Sequence, residues 1–140
     1  MKKTSNKKIR IGYYSADFNN HPTSFLMVHL LELHDRSNFE IFCFSLQNRK
    51  DDEMRKRVLK ACDKFLDVSL KSDAEIAKIS RDLEIDIACD VMGFTKGNKF
   101  QIFAEKCAPI QVSYLAFPGT TGANFIDYVI ADKIVISQEL

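Results

Sequence analysis

Six apolar segments alternate with amphipathic segments along this chain of 140 residues. The apolar segments are rich in β-branched and aromatic residues, and they predict strands at 8–14, 38–46, 64–68, 85–92, 110–117 and 127–131. Four of the intervening segments carry apolar residues at helical spacing. Because strands that alternate with helices imply right-handed crossovers, we expect an α/β fold with a parallel sheet covered by helices on both faces.

The helical spacing also predicts which side of each helix is buried. In the first helix, which has Pro22 in its first turn, Leu26, Leu30 and Leu33 fall on one face, and we expect this helix to be mostly buried. Buried positions predicted for the later helices are Met54, Val58, Leu59 and Cys62, then Ile76, Ile79 and Leu83, and then Phe100, Phe103, Ala104 and Cys107. A capping box, Ser72 with Glu75, predicts where the third helix begins.

Three polar loops follow predicted strands, at 15–24, 93–97 and 118–123. The carboxyl ends of parallel strands meet at one edge of a sheet, and this is the edge where such folds bind ligands. We therefore expect the three loops to converge on one binding surface.

The first of these loops carries the candidate reactive side chains. His21 and Asp17 are its only histidine and its only carboxylate, which makes them candidates for proton transfer or for orienting a hydroxyl. Thr23 and Ser24 lie at a helix N terminus, where free N–H groups and the helix dipole favour anionic oxygens. The alternative is that His21 only caps the helix and Asp17 only bonds nearby loop amides.

The other two loops offer further candidates, each with a structural alternative. Lys96 is a candidate phosphate contact, and otherwise a solvated lysine. Gly119 and Thr120 are candidates to bring backbone and a hydroxyl close to a ligand. The alternative is that Pro118-Gly119 forms only a type II turn. Asp90 lies near the carboxyl end of its strand, where it either faces the ligand edge or is buried and bonded to backbone amides.

Composition narrows the classes of partner. The chain is 46% hydrophobic, and its 20 basic and 19 acidic side chains give a net charge of +1, so nothing electrostatic favours nucleic acid or an anionic membrane. No segment approaches the roughly 20 apolar residues that span a bilayer. We expect a basic tail at 1–8 and a single domain at 9–140.

Cysteines and known motifs give mainly exclusions. The four cysteines are Cys43, Cys62, Cys89 and Cys107. They form no C-x-x-C pair and sit among apolar residues, which predicts buried thiols in a reducing cytoplasm and no zinc site. The sequence has no G-x-G-x-x-G after the first strand, no P-loop, no H-E-x-x-H and no G-x-S-x-G. Dinucleotide dehydrogenases, P-loop enzymes, zincins and α/β-hydrolases are therefore disfavoured.

Five ordered motifs carry a family likeness. They are Ser15-Ala16-Asp17-Phe18 with His21-Pro22-Thr23-Ser24, Gly93-Phe94-Thr95-Lys96-Gly97, Ala108-Pro109-Ile110-Gln111, Phe117-Pro118-Gly119-Thr120-Thr121-Gly122-Ala123, and Asp127-Tyr128. In order and spacing they resemble the catalytic region of O-linked N-acetylglucosamine (O-GlcNAc) transferases, the SPINDLY-like group included. The likeness extends from about Ile9 to Asp132.

That resemblance implies a GT-B glycosyltransferase, in which two Rossmann-like lobes enclose a cleft and N-acetylglucosamine passes from UDP-GlcNAc to a protein Ser or Thr with inversion. The chain resembles the N-terminal lobe only, so we expect it to be weak or inactive alone. The family's second lobe supplies most donor contacts, and tetratricopeptide repeats upstream bind the acceptor protein. Neither a metal nor another cofactor is expected.

Family roles carry over to matching positions. His21 resembles the active-site histidine, Thr23 and Leu26 would lie beside the donor, and Thr120 with Pro118-Gly119 would line the cleft. The chain departs from the family at three positions, with Lys99 and Lys106 for arginine and Cys107 for proline. Because lysine lacks the bidentate fork of arginine, this helix would make different contacts.

Two other functions remain open from the sequence. One is a non-catalytic protein-interaction domain derived from such an enzyme. The other is a receiver-type signalling domain, which suits the predicted sheet but lacks its paired acidic residues after the first strand.

Overall fold

The computed structural model describes residues 7–117 and 119–136, and this part of the chain contains six strands and four helices. In chain order they are β1 (Ile9–Ser15), α1 (Pro22–Leu33), β2 (Phe39–Ser45), α2 (Glu53–Ala61), β3 (Lys64–Asp67), α3 (Asp73–Asp82), β4 (Ile87–Asp90), α4 (Gln101–Ala104), β5 (Ile110–Tyr114) and β6 (Tyr128–Ile130). All six strands fall within the apolar segments of the sequence or within one residue of them.

The strands form one sheet in the order β3-β2-β1-β4-β5-β6. Every neighbouring pair is parallel, and β1 is central, with Tyr14 opposite Phe44 on one side and Asp90 on the other. The order runs outwards from β1 to β3 and then resumes at β4 on the other side of β1. The predicted α/β fold with a parallel sheet is confirmed.

Helices cover both faces of the sheet, as predicted, because successive strand residues point to opposite sides. On one face α1 and α2 pack on the sheet through Met27, Leu31 and Val58, beside Tyr13 of β1. On the other face α3 and α4 pack through residues that include Ile76, against Tyr14. Each face therefore has its own apolar core, and β1 contributes one tyrosine to each.

The buried face predicted for α1 is wrong. Leu26 and Leu33 are 67% and 66% exposed, and Leu30 is exposed as well. The residues that face the sheet include Met27 and Leu31. Because α1 is apolar nearly all the way round, two faces have equally good helical spacing, and the sheet rather than the sequence selects between them.

In α2 the prediction holds for Met54 and Val58, which are buried, but not for Leu59, which is 48% exposed. Cys62 caps the helix and is half-buried. Arg55 is also buried, which no pattern in the sequence predicted. A guanidinium there needs polar partners, and they come from the edge of the sheet described below.

The later elements show smaller differences. The predicted capping box of α3 is present, and the predicted stripe holds in part, because Ile76 is buried while Ile79 and Leu83 are half-buried. The fourth helix is shorter than predicted and stops before Lys106, which has a left-handed backbone with φ of 53°.

The fifth strand also ends early. Strand β5 stops at Tyr114 rather than at 117, because the next two residues, Leu115 and Ala116, have φ of 60° and 66°. Backbone in this left-handed region cannot continue a strand, and it turns the chain towards the third polar loop.

Three of the cysteines are buried and Cys62 is half-buried, and all four are free thiols. Within residues 7–117 and 119–136, no group of three or more His, Cys, Asp and Glu side chains is placed to hold a metal ion. No helix in the same ranges has the length and apolarity to cross a membrane. Residues 1–6 of the predicted basic tail lie outside the described residues.

A buried amide joins α4 to the last two strands. Gln111 is fully buried, and its Nε2 donates to the carbonyl oxygens of Phe103 (2.9 Å) and Phe125 (2.7 Å). Its Oε1 accepts from the backbone N–H of Cys107 at 3.0 Å. This one side chain therefore bonds three backbone groups, two at or just after the end of α4 and one in the segment before β6.

We expect Gln111→Leu to lower the free energy of unfolding by roughly 2–6 kcal/mol, because it leaves the buried N–H of Cys107 and the carbonyl of Phe125 without partners. The carbonyl of Phe103 keeps the N–H of Lys106 at 3.0 Å. Chemical denaturation of the 140-residue chain measures the change. Gln101→Leu, at an exposed glutamine of α4, is the matched control and should change stability by no more than about 0.5 kcal/mol. Equal losses in the two variants would contradict the role of the buried amide.

Candidate functional site

The reversal of strand order puts two loops beside the central crevice of the sheet. The β1–α1 loop follows β1, and the loop at 93–97 follows its neighbour β4. Their helices lie on opposite faces, α1 on one and α4 on the other. In an open parallel sheet this is the place where ligands bind.

Loop contacts place the second polar loop against the first and against the residue that precedes the third. A Cβ atom on Gly97 would lie 3.1 Å from Cδ of Gln47 and 3.5 Å from Cβ of Ala16, so the second loop touches the first. A Cβ on Gly93, where φ is +56°, would lie 2.8 Å from Cγ of Phe117. Phe117 leads into the third loop. The second loop thus sits between the other two, and its glycines permit the close approach.

His21 is the N-cap of α1. Its Nδ1 accepts the backbone N–H of Thr23 at 3.2 Å, as the structural alternative predicted. Since Nδ1 is an acceptor here, the neutral ring carries its proton on Nε2. That nitrogen lies 3.8 Å from Oδ2 of Asp17, and the side chain is 42% exposed. The cap therefore fixes the ring while Nε2 stays near solvent.

Asp17 lies beneath the imidazole, with a side chain only 11% exposed. Its second oxygen, Oδ1, is 3.8 Å from Nη2 of Arg49. Its main chain is held by Ser24, whose hydroxyl donates to the Asp17 carbonyl at 2.6 Å. Asp17 thus both stabilises the loop and places a carboxylate between a histidine and an arginine.

The other candidates on α1 have different surroundings. Thr23 and Ser24 are buried, and the Thr23 N–H and the Ser24 hydroxyl already have partners within the loop. Leu26 is exposed at the start of the second turn of the helix. Leu26 and the Nε2 edge of His21 therefore remain open to a ligand.

The candidates on the other loops are mainly exposed. Lys96, Gly119 and Thr120 all face solvent, and the Thr120 hydroxyl oxygen accepts the N–H of Gly122 at 3.1 Å. Among the described residues, no hydrogen bond or ion pair joins Lys96 or Thr120 to His21. Pro118 lies outside the described residues.

Asp90 holds the second loop in place and is 2% exposed. Its Oδ1 accepts the N–H of Met92 and its Oδ2 that of Gly93, each at 3.0 Å. Burial raises the pKa of this carboxyl to about 6, although the two amides pull it in the opposite direction. Of the two interpretations given by the sequence, the structure supports the buried, backbone-bonded carboxylate.

Sequence reasoning missed the residues that brace the first loop from outside. Arg49 and Arg55 donate to its carbonyl oxygens, and Oδ2 of Asp52 accepts the N–H of Asn20 at 2.8 Å. That bond and the N–H of Arg55 hold the pKa of Asp52 below its ordinary value. Both arginines lie in a segment rich in charge, where they resemble solvated side chains, so no sequence signal marked them.

Comparisons with known proteins agree with this geometry. The model of glycosyl transferase family 41 matches residues 1–140. The chain is 48% identical to the probable UDP-N-acetylglucosamine–peptide N-acetylglucosaminyltransferase SEC of Arabidopsis thaliana, over 92% of the chain and 13% of that protein. It is 42% identical to the UDP-N-acetylglucosamine–peptide N-acetylglucosaminyltransferase of Caenorhabditis elegans, over 91% of the chain and 11% of that protein.

A solved structure shows the same fold. A mutant O-GlcNAc transferase from Thermobaculum terrenum superimposes with a TM-score of 0.86 at 32% identity, over 91% of this chain and 24% of that one. The chain therefore spans between about a tenth and a quarter of the length of these relatives.

Asp90 predicts a specific pH dependence of stability. Because its folded pKa of about 6 lies above the ordinary 3.8, the unfolded chain loses this proton first as the pH rises. The stabilisation that the raised pKa provides is complete below pH 3.8 and is lost by about pH 6. Over this range the free energy of unfolding of wild type should fall by roughly 3 kcal/mol relative to that of Asp90→Asn.

Denaturation of wild type and Asp90→Asn between pH 4 and 7 measures this difference. Glu53→Gln, at a carboxylate whose side chain is 89% exposed, is the control and should show no such trend relative to wild type. A difference between wild type and Asp90→Asn that is independent of pH, or that grows in favour of wild type as the pH rises, would contradict the assignment.

Proposed function

Because the chain belongs to glycosyl transferase family 41, we propose that it forms the N-terminal lobe of an enzyme that transfers N-acetylglucosamine from UDP-GlcNAc to Ser and Thr hydroxyls of proteins. The relatives with 48% and 42% identity are named as UDP-N-acetylglucosamine–peptide N-acetylglucosaminyltransferases. The observation that carries the proposal is the position of His21, on a braced loop at the strand-order reversal, beside the loop at 93–97 that follows β4.

In this proposal His21 acts by holding a hydrogen-bond donor in place more than by accepting a proton. With Nδ1 occupied by the Thr23 N–H, the neutral ring offers Nε2–H as a donor to a substrate oxygen. Asp17, 3.8 Å away, favours that orientation of the ring. In the transfer, the acceptor oxygen bonds to C1 of the sugar, the bond from C1 to the diphosphate breaks, and the acceptor proton passes to a base. We assign His21 a position beside the donor and do not make it that base.

The leaving diphosphate carries negative charge, and the site offers matching positive charge. The N terminus of α1 opens at this edge, and the 12-residue helix directs its dipole there. Lys96 adds a cation on the adjacent loop, and we propose that it and Thr120 line the donor side of the cleft. In this scheme no metal is needed, because protein charges stabilise the leaving group.

The lobe supplies one wall of the proposed cleft. Since the chain spans 13% and 11% of the two named relatives, we propose that a second lobe provides most donor contacts and that upstream tetratricopeptide repeats bind the acceptor protein. The isolated lobe would then be weak or inactive. The free thiols suit a cytoplasmic setting.

Substitution of His21 tests the proposal. In the longest protein that contains this chain, we expect His21→Asn to lower the rate of UDP release from UDP-GlcNAc roughly 10- to 100-fold, the effect of losing one hydrogen bond to a charged group. Asparagine is a good N-cap, so helix α1 should remain intact and the thermal unfolding temperature should hold.

His29→Ala is the matched control, because His29 is an exposed histidine on the same helix. It should leave the rate unchanged. Equal, measurable rates for wild type and His21→Asn would remove His21 from the active site. No UDP release by wild type would favour the non-catalytic interaction domain.

A further inference from the structure

The segment after β2 and the first turn of α2 hold the site loop at three alternate residues. Nε of Arg49 donates to the carbonyl of Ala16 at 3.3 Å, and Nη1 of Arg55 donates to that of Phe18 at 3.4 Å. Asp52, which also caps α2, accepts the N–H of Asn20 at 2.8 Å. These contacts flank Asp17 on both sides and end one residue before His21.

Arg55 is the deepest of the three. It is 5% exposed, and its Nη1 also donates to the hydroxyl of Ser45 at 3.1 Å. Nη2 lies 3.7 Å from Asp67, and the guanidinium lies 4.8 Å from the ring centre of Phe65. Ser45 and Asp67 are the last residues of β2 and β3. Arg55 therefore connects the carboxyl ends of two strands to the loop that follows a third.

A buried guanidinium is an expensive way to stabilise a fold, because desolvation offsets much of what its ion pairs contribute. Apolar side chains of similar volume often serve stability equally well. A planar group with five donors does something that they cannot, since it fixes several acceptors in set directions at once. The acceptor that matters here is the carbonyl of Phe18, whose own side chain is fully buried and packs 6.0 Å from the ring of Phe65.

We propose that Arg55 is a positioning residue for the site: through the carbonyl of Phe18 it holds the β1–α1 loop so that Asp17 and His21 keep their mutual geometry. It touches no substrate. The kinetic part of this inference rests on the proposed glycosyl transfer, whereas the structural part concerns only the imidazole and its loop. Arg57, one half-turn along α2, is exposed and pairs with Glu32, so it has no such role.

Arg55→Lys tests the proposal, because lysine keeps the charge but lacks the planar fork. Ring ¹⁵N spectra of the 140-residue chain at a pH where His21 is neutral report its tautomer. We expect wild type to show a single Nε2–H form and Arg55→Lys to show a mixture of the two tautomers. In the longest protein that contains this chain, kcat for UDP release should fall at least about tenfold, with KM for UDP-GlcNAc changing less than about threefold.

Two further variants keep the test decisive. Ser45→Ala removes one hydrogen-bond acceptor of Arg55 and leaves its charge pairs intact. It should therefore change the His21 tautomer and kcat in the same direction as Arg55→Lys, by a smaller amount. If Arg55→Lys does not fold, Ser45→Ala takes its place in the test. Arg57→Lys is the matched control and should match wild type in both measurements. The proposal would be overturned if folded Arg55→Lys had the same His21 tautomer and the same kcat as wild type. If Arg55→Lys does not fold, the same result in Ser45→Ala would overturn it.

The two proposals fail separately. If wild type itself releases no UDP, the glycosyl transfer is contradicted, while the tautomer spectra still decide whether Arg55 positions His21. If wild type is active and Arg55→Lys loses stability only, with kcat per folded molecule unchanged, Arg55 is structural and the transfer stands.

Discussion

The parallel pairing of β1 with both β2 and β4 is the constraint on which the rest of the structure depends. It buries β1 between two halves of the sheet and sends the chain that leaves it to the same edge as the chain that leaves β4. Since the connections on the two halves run over opposite faces, a crevice opens where they part. The tyrosines of β1 show how tightly this is fixed, because Tyr13 belongs to one core and Tyr14 to the other.

A crevice alone does not orient a side chain, and the loop that carries His21 is oriented from several directions. Ser24 bonds it from its own helix, and the sulfur of Met92 accepts the N–H of Ala16 at 3.3 Å from the β4 side. Arg49, Asp52 and Arg55 hold it from the β2–α2 side. The imidazole therefore has its place before any ligand arrives, which is what a site that acts by positioning and electrostatics requires.

The sequence predicts those features of this structure that depend on local periodicity. Strands such as β2 are apolar over most of their length, and Ser72 with Glu75 marks the start of α3, so these elements were found. The buried face of α1 was not, because both Leu26 and Met27 belong to apolar stripes and only the sheet distinguishes them. Arg55 was not found either, since its partners come from the β1–α1 loop, β2 and β3, and no local pattern records a tertiary contact.

We propose that three loops at one edge of the sheet form the donor-facing wall, and hydrogen exchange can test this in a protein that joins this chain to a second lobe of the family. With UDP-GlcNAc added, we expect slower exchange in peptides that cover 15–24, 93–97 and 119–123. Exchange at the opposite edge, in 34–38 and 83–86, should not change. Protection at the opposite edge, or binding of donor without protection at the three loops, would contradict it.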